Sequence, residues 1–382
     1  MSDDKPKTWG ETFRWLVWGS AKYAAGAAAG TALGVALTLI VGVAPQQVIE
    51  TQVREVAAPI GDYVAAFGWH RDEAAIARNL NPAITTQFDA TPAGRAVMGA
   101  EEDVFLWRAI QKASGKPPAW VNQGPVGCCV AAANKHVVDV LQAVQIASGK
   151  PGEWKPIAVE PSYSLSRVEI GGGRISGDGS VGAWIVKADQ DFGVIPMEKI
   201  GEHDLSVYSP SRARAWGRSG CPDDLEPKAR EHPVKGVALV KSPADVERAI
   251  RQGYPILVCS DQGFRMERDS DGKCSPQGIW YHAMAIIGVR VSAGKTLFFV
   301  VNSWGDKAHT GPVWPEDMPV EGFWADAAVI DRMVRQGDSH ALSDVKGFPA
   351  RELPLNWFLA APVPQHAHNH ALARFNLKVL AW

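Results

Sequence analysis

The chain has 382 residues, of which 46% are hydrophobic and 21% are charged. This composition is typical of a globular protein and argues against a disordered chain or a polytopic membrane protein. The formal net charge of −2 provides no overall electropositive field, so nucleic acid is not expected as a partner. Five cysteines are too few for a disulfide scaffold.

The first distinctive element is an uncharged apolar segment, residues 23–44. As a helix it would be about 33 Å long, enough to cross a hydrocarbon core of ~30 Å. Basic residues are concentrated before it, and Trp9, Trp15 and Trp18 are placed like an interfacial aromatic belt. The positive-inside rule therefore predicts a single-pass membrane protein with residues 1–22 in the cytoplasm and the remainder in the periplasm or outside the cell.

Three other interpretations of this segment stay open. A cleaved signal peptide is disfavoured because Pro45 follows the small residues of a potential cleavage site. A buried core helix is compatible with the many alanines and glycines. A helix lying on the lipid surface is disfavoured because the segment has no polar face.

Residues 45–100 are predicted to be a stalk or connector. Gly26, Gly30 and Gly34 recur on one face of the predicted membrane helix, a spacing that lets two helices approach closely. A short heptad-like seam from Ile49 to Tyr63 would extend the pairing, so we expect a homo-oligomer formed through the lipid-embedded segment. The alternatives are an alanine-rich span in which the glycines have no such role, and an ordinary amphipathic helix after it.

A globular region begins at residue 101, where residues 101–113 are predicted to form a helix. Cys128 and Cys129 follow a glycine-containing loop and begin an apolar-periodic stretch that continues to Val144. The pattern predicts a buried helix with cysteine at its N-terminus. The helix dipole favours a thiolate at that position.

Two apolar strands are predicted later in the chain. The first, residues 279–289, carries His282, and the second, residues 297–305, carries Asn302 near its end. A thiol at a helix start, an imidazole on a strand and an amide after the next strand form a potential nucleophile, base and orienting group.

In combination these motifs resemble those of the papain-like cysteine peptidases. The resemblance lies in Gln123-Gly124 with Gly127-Cys128-Cys129, in His282-Ala283, and in Asn302-Ser303-Trp304-Gly305. It implies an α+β fold over residues 101–350, with a helical lobe, a β-barrel-like lobe and a cleft between them. Residues 351–382 are then a C-terminal tail.

The resemblance also implies a role for each site residue. The family places its oxyanion-hole glutamine six residues before the nucleophile, which selects Cys129 over Cys128 when Gln123 is that glutamine. His282 is then the general base and later the acid, and Asn302 orients its imidazole. Trp304 shields the Asn–His hydrogen bond. The implied activity is hydrolysis of a peptide or protein substrate without a metal or other cofactor.

Weaker matches concern substrate binding. Gly171, Gly172 and Gly173 resemble the family's glycine-rich strip facing the substrate, and Trp304 is grouped with them as a substrate-binding residue. Ser180 is expected to cap a helix over residues 181–192.

The sequence departs from the family pattern at several positions. Val130 replaces the usual tryptophan after the nucleophile, and Tyr281 replaces a small or polar residue before the histidine. Residues 306–312 stand where a second Trp-Gly is usual. The segment before the domain lacks the long helical pattern of the family's inhibitory propeptide, so no conventional zymogen is expected.

Other functions are compatible with the sequence. A catalytically silent papain-like domain would serve as a membrane-tethered binding or structural module, and acyl transfer or cell-wall peptide hydrolysis would use the same site. Cys221 and Cys274 lie in predicted polar loops and are candidates for a disulfide in an oxidising compartment.

Overall fold

The computed structural model describes residues 59–60, 63–97 and 102–353. The predicted membrane span 23–44, most of the predicted stalk before Tyr63, and the tail from residue 354 lie outside this part of the chain. Within the described residues, no helix combines the length and apolarity needed to cross a membrane.

The described chain contains ten α-helices, most of them short. They are α1 Glu73–Leu80, α2 Pro92–Arg95, α3 Trp107–Ser114, α4 Cys129–Ala147, α5 Val159–Ser164, α6 Gly182–Asp191, α7 Pro210–Ser219, α8 Glu226–Ala229, α9 Pro243–Arg251 and α10 Ala327–Val334. Helix α5 continues directly into a π-helical turn, Leu165–Ile170.

Eleven strands accompany them in the described residues. They are β1 Pro59–Ile60, β2 Tyr63–Val64, β3 Val104–Phe105, β4 Lys199–Ile200, β5 His203–Asp204, β6 Gly236–Leu239, β7 Ile256–Arg268, β8 Cys274–Ser292, β9 Lys295–Val301, β10 Gly322–Asp326 and β11 His340–Ser343.

The main sheet is antiparallel, with the strand order β10-β9-β8-β7-β11-β6, and β3 pairs with β8 outside this path. The α+β class predicted from the sequence agrees with this architecture. In the described residues, however, the path ends at β10 and β6 without closing, so the predicted β-barrel-like lobe is an open sheet. The long β7–β8 hairpin contains several register shifts, which are typical of β-bulges and bend the strands.

Helix α4 is the buried helix that brings the cysteines to the sheet. Its alanine and valine side chains, such as Ala132, Val137 and Val140, are fully or almost fully buried. Two polar side chains that enter this apolar layer, Lys135 and Asp139, pair with each other on successive turns. Burial of this helix fixes the position of its N-terminus, because a close-packed core allows little sliding.

Local structure differs from the sequence prediction at two places. The helix predicted over residues 101–113 begins at Trp107, because Val104 and Phe105 pair with β8 as strand β3. Ser180 does not cap helix α6: its hydroxyl contacts Ser166, and no side chain caps this helix. The role of Ser180 is described below.

The part of the predicted connector that the structure describes is packed on the domain. Asp72 caps α1 by accepting from Ala74 N and Ala75 N, and Asn79 on the same helix donates to Gly337 O at 3.2 Å. Cys221 and Cys274 are both free thiols with buried side chains in separate apolar clusters. Cys221 lies in the loop between α7 and α8, and Cys274 is the first residue of β8.

Candidate active site

Adjacent cysteines at the start of α4 have different surroundings. The sulfur of Cys128 lies 3.2 Å from the Tyr208 hydroxyl, which donates in turn to the carbonyl oxygen of Gln123 at 2.9 Å. The thiol of Cys129 instead meets the backbone amides of Ala283 and Gly68. Of the two thiols, it is therefore Cys129 that faces the strand carrying the histidine.

His282 and Asn302 are joined by a direct hydrogen bond. His282 lies on β8 opposite Ser260 of β7, and Asn302 follows the last residue of β9. The distance from His282 Nε2 to Asn302 Oδ1 is 2.8 Å. The other ring nitrogen, Nδ1, is buried and has no hydrogen-bond partner within the described residues. This leaves Nδ1 as the nitrogen available to exchange a proton with a thiol.

The side chain of Gln123 is fully buried and hydrogen-bonded at both ends. Its Oε1 accepts from the hydroxyl of Ser303 at 2.5 Å, and its Nε2 donates to Val126 O at 2.9 Å. The same Nε2 donates to Ala66 O at 3.1 Å. An amide donor fixed in this way beside the start of α4 suits an oxyanion hole, which requires preorganised donors.

Trp304 covers the imidazole. Its ring centroid lies 4.5 Å from that of His282, and the indole is buried. An aromatic ring in this position excludes water from one side of the His282–Asn302 bond. Trp304 also donates from Nε1 to Ala66 O at 3.1 Å.

Burial determines the charge state of the site. It raises the pKa of the Cys129 thiol to about 12, although backbone amides, first that of Ala283, act in the opposite direction. Burial also lowers the pKa of His282 to about 4, despite the hydrogen bond to Asn302. Near neutral pH the described site therefore holds a neutral thiol and a neutral imidazole, and the helix-dipole effect expected from the sequence is outweighed.

The burial has an identifiable source. Residues 63–70, which we call the cleft segment, pass directly over the site. The Ala66 carbonyl accepts from both Gln123 and Trp304, and the ring of Phe67 packs edge-on against Trp304 with a centroid distance of 5.3 Å. The backbone of Gly68 touches that of Gly127, because a Cβ built on Gly68 would lie 1.8 Å from Gly127 O.

The cleft segment is hydrogen-bonded to both walls of the cleft. On one side, Gly68 N and Trp69 N donate to Tyr281 O at 3.1 and 3.0 Å. On the other, Ser180 N donates to Gly68 O and His70 N donates to Ser180 O, both at 2.8 Å, in a parallel bridge. Tyr281, a departure from the family pattern, also stacks its ring on that of Trp69.

The predicted glycine strip lies elsewhere. Gly171, Gly172 and Gly173 form the turn after the π-helical segment, and Gly172 and Gly173 are exposed. The backbone that pairs with the cleft segment is that of Ser180. The structure therefore gathers Gln123, Cys129, His282, Asn302 and Trp304, but not the three glycines.

No family model matches the sequence, and no curated protein matches it. Among solved structures, the chain is similar to xylellain, a cysteine protease from Xylella fastidiosa, with 15% identity, a TM-score of 0.44, and coverage of 73% of this chain and 91% of that one. It is also similar to bromelain from Ananas comosus, with 18% identity, a TM-score of 0.41, and coverage of 64% and 99%.

A digestive procathepsin L 3 from Tenebrio molitor is likewise similar, with 11% identity, a TM-score of 0.44, and coverage of 88% of this chain and all of that one. These neighbours are papain-like cysteine proteases.

Two further residues contact this site and were not predicted from the sequence. Ser303 fixes the Gln123 amide, and its own backbone N–H donates to Asn302 Oδ1 at 2.7 Å. His309 lies on the other side of the Asn302 amide, with its Nε2 at 3.1 Å from Asn302 Nδ2. The only sequence signal for His309 was a histidine in the loop that replaces the second Trp-Gly.

Proposed function

We propose that this protein is a cysteine peptidase that hydrolyses peptide bonds through Cys129, His282 and Asn302. The observation that supports this most directly is the buried His282–Asn302 hydrogen bond, with the second imidazole nitrogen unpartnered within the described residues and the Cys129 thiol at the neighbouring peptide.

The reaction follows from these groups. Cys129 transfers its proton to Nδ1 of His282, and its sulfur attacks the carbonyl carbon of the scissile peptide. The Gln123 amide and the N–H of Cys129 stabilise the oxyanion, each by about 3–4 kcal/mol. The C–N bond breaks as His282 protonates the amine. Water then attacks the thioester with His282 as base, which yields a carboxylic acid and restores the thiol.

We further propose that the described conformation is a closed resting state. The Ala66 carbonyl holds the Gln123 donor that a substrate oxyanion would need, and the cleft segment buries Cys129 and His282. Catalysis therefore requires the cleft segment to leave. This proposal is compatible with the sequence expectation of no conventional zymogen, because the covering element is a short extended segment and not a long helical propeptide.

The complete burial of the site also favours a second candidate, a catalytically silent domain whose cleft is permanently filled. Reaction with an electrophilic epoxide or vinyl sulfone separates the two, because only a site that opens and forms a reactive thiolate is modified. A peptidase shows modification of Cys129 and cleavage within a peptide library. A silent domain shows neither, including when the cleft segment is loosened.

We also propose that residues 23–44 anchor the peptidase in a membrane with the catalytic domain in the periplasm or outside the cell. The support is the uncharged span and the excess of basic residues before it. Fractionation of cells expressing the full chain tests this: the protein should stay in membranes after alkaline extraction. Release into the extract, or protection of the domain from protease added to cells whose outer membrane has been removed, would contradict the proposal.

A further inference from the structure

The amide of Asn302 is fixed at both ends. Its Oδ1 accepts from His282 Nε2 at 2.8 Å and from the backbone N–H of Ser303 at 2.7 Å. Its Nδ2 lies 3.1 Å from Nε2 of His309, a buried histidine in the loop after β9. The chain of contacts therefore runs from His282 through Asn302 to a second imidazole.

This arrangement determines which nitrogen of His309 carries the proton. Because Oδ1 of Asn302 already accepts a bond from a backbone N–H, the amide must present its NH₂ group to His309. Nε2 of His309 is then an acceptor, so the proton of the neutral ring lies on Nδ1. Nδ1 faces the sulfur of Cys274 at 3.7 Å, and the ring also hydrogen-bonds to the backbone of Met266.

The surroundings of His309 keep the ring neutral. The charged or titratable groups that face it are Arg268 on β7, and Cys274 and His282 on β8. Burial lowers the pKa of His309 to about 3, and the positive charge of Arg268 acts in the same direction. The ring of Phe323 on β10 packs at a centroid distance of 4.8 Å. His309 thus remains a hydrogen-bond acceptor over the whole pH range in which a cysteine peptidase would work.

We propose that His309 is a positioning residue that locks the Asn302 amide in the orientation required by His282. If the amide turned over, its NH₂ group would face the N–H of His282, and two donors would oppose each other. The acceptor on His309 opposes that rotation because it would then face the amide oxygen. This inference rests on the proposed peptidase function for its kinetic consequences, but not for its structural ones.

The structural consequence is tested in the resting, full-length protein by NMR with isotope-labelled histidine. The expected result is His309 as the neutral tautomer protonated at Nδ1, with a protected N–H signal from Nε2 of His282. A His309 ring that carries its proton on Nε2, or that titrates near its ordinary pKa, would overturn the proposal whether or not the protein is a peptidase.

The kinetic consequence is tested with His309→Leu, which has no acceptor, and His309→Gln, whose side-chain oxygen is able to accept. We expect the leucine variant to lose roughly tenfold or more in kcat with little change in KM, and the glutamine variant to recover most of it. Adding Asn302→Ala to the leucine variant should lower kcat by a smaller factor than adding it to the wild type, because His309 and Asn302 act together in orienting His282.

The outcomes are separable. Equal losses in the leucine and glutamine variants, or additive losses with Asn302→Ala, would assign His309 a packing role only. Thermal melts of the variants identify a general folding defect, and the tautomer measurement on the unmodified protein decides the question if the leucine variant does not fold. A wild type without any peptidase activity would refute the proposed function while leaving the tautomer prediction intact.

Discussion

Gly68→Ala should open the active site. A Cβ at this position would lie 1.8 Å from Gly127 O and 2.5 Å from Gly127 C, and these are backbone atoms of the cleft floor that have little room to move. Gly68 does not have a positive φ, so alanine adds no backbone strain once the segment has left the cleft. The substitution therefore acts selectively on the closed state.

The size of the effect follows from the interactions that the added methyl group disrupts. Overpacking of this kind costs about 1–3 kcal/mol. The hydrogen bonds Gly68 N to Tyr281 O and Ser180 N to Gly68 O would be strained as well, at about 1 kcal/mol each. A total of roughly 3–5 kcal/mol shifts the open-to-closed ratio by about a hundredfold to a few thousandfold, since about 1.36 kcal/mol corresponds to tenfold.

The assay is the second-order rate of covalent labelling by an epoxide probe, measured with the full-length protein. We expect an increase of at least roughly tenfold in Gly68→Ala, accompanied by faster peptide hydrolysis. Ala74→Gly, the reverse exchange on the exposed face of α1, is the matched control and should label like the wild type. Phe67→Ala removes the ring packing on Trp304 and His282 and should also accelerate labelling.

An unchanged labelling rate in Gly68→Ala, in protein that melts cooperatively, would refute the idea that the cleft segment blocks the site. Slower labelling in Gly68→Ala would also refute this idea, because it would mean that the cleft segment supports the reactive geometry of the site instead of covering it.

Two further predictions concern stability and assembly. Burial raises the pKa of Asp189 to about 7, and only one of its oxygens is hydrogen-bonded within the described residues, by Asn134. The folded state thus favours the protonated acid. The contribution of Asp189 to the free energy of unfolding is therefore fully present below its unfolded pKa of ~4. It is lost as the pH rises through the folded pKa of about 7, by up to about 4 kcal/mol. Asp189→Asn should raise the melting temperature at about pH 8 and change it little at about pH 4; equal shifts at both values would disprove the protonation argument. In the predicted membrane helix, Gly30→Ile should reduce cross-linked oligomer in membranes, and an unchanged yield would contradict pairing through that face.

The residues of the site were predictable because each lies in a local sequence pattern. The spacing from Gln123 to Cys129 and the apolar strands carrying His282 and Asn302 are visible in the sequence, and the structure brings these four residues together. The choice of Cys129 over Cys128 came from that spacing, and the contact between Cys128 and Tyr208 supports it.

The closure of the site could not be predicted in this way. The cleft segment is held mainly through backbone groups, such as the Ala66 carbonyl and the amide of Gly68, and backbone contacts leave no side-chain pattern in the sequence. Ser180 likewise pairs with the cleft segment through its main chain, so no side-chain pattern marks this contact. The role of His309 depends on a loop conformation that periodicity does not specify.

If Cys129 is the nucleophile of a peptidase whose cleft opens, an epoxide should modify this residue. The decisive measurement is mass-spectrometric mapping of the epoxide adduct in both the wild type and Gly68→Ala. We expect a single adduct on Cys129, more abundant in Gly68→Ala, retained in Cys128→Ser and absent in His282→Ala. No adduct in either protein, or an adduct on Cys128 in place of Cys129, would contradict it.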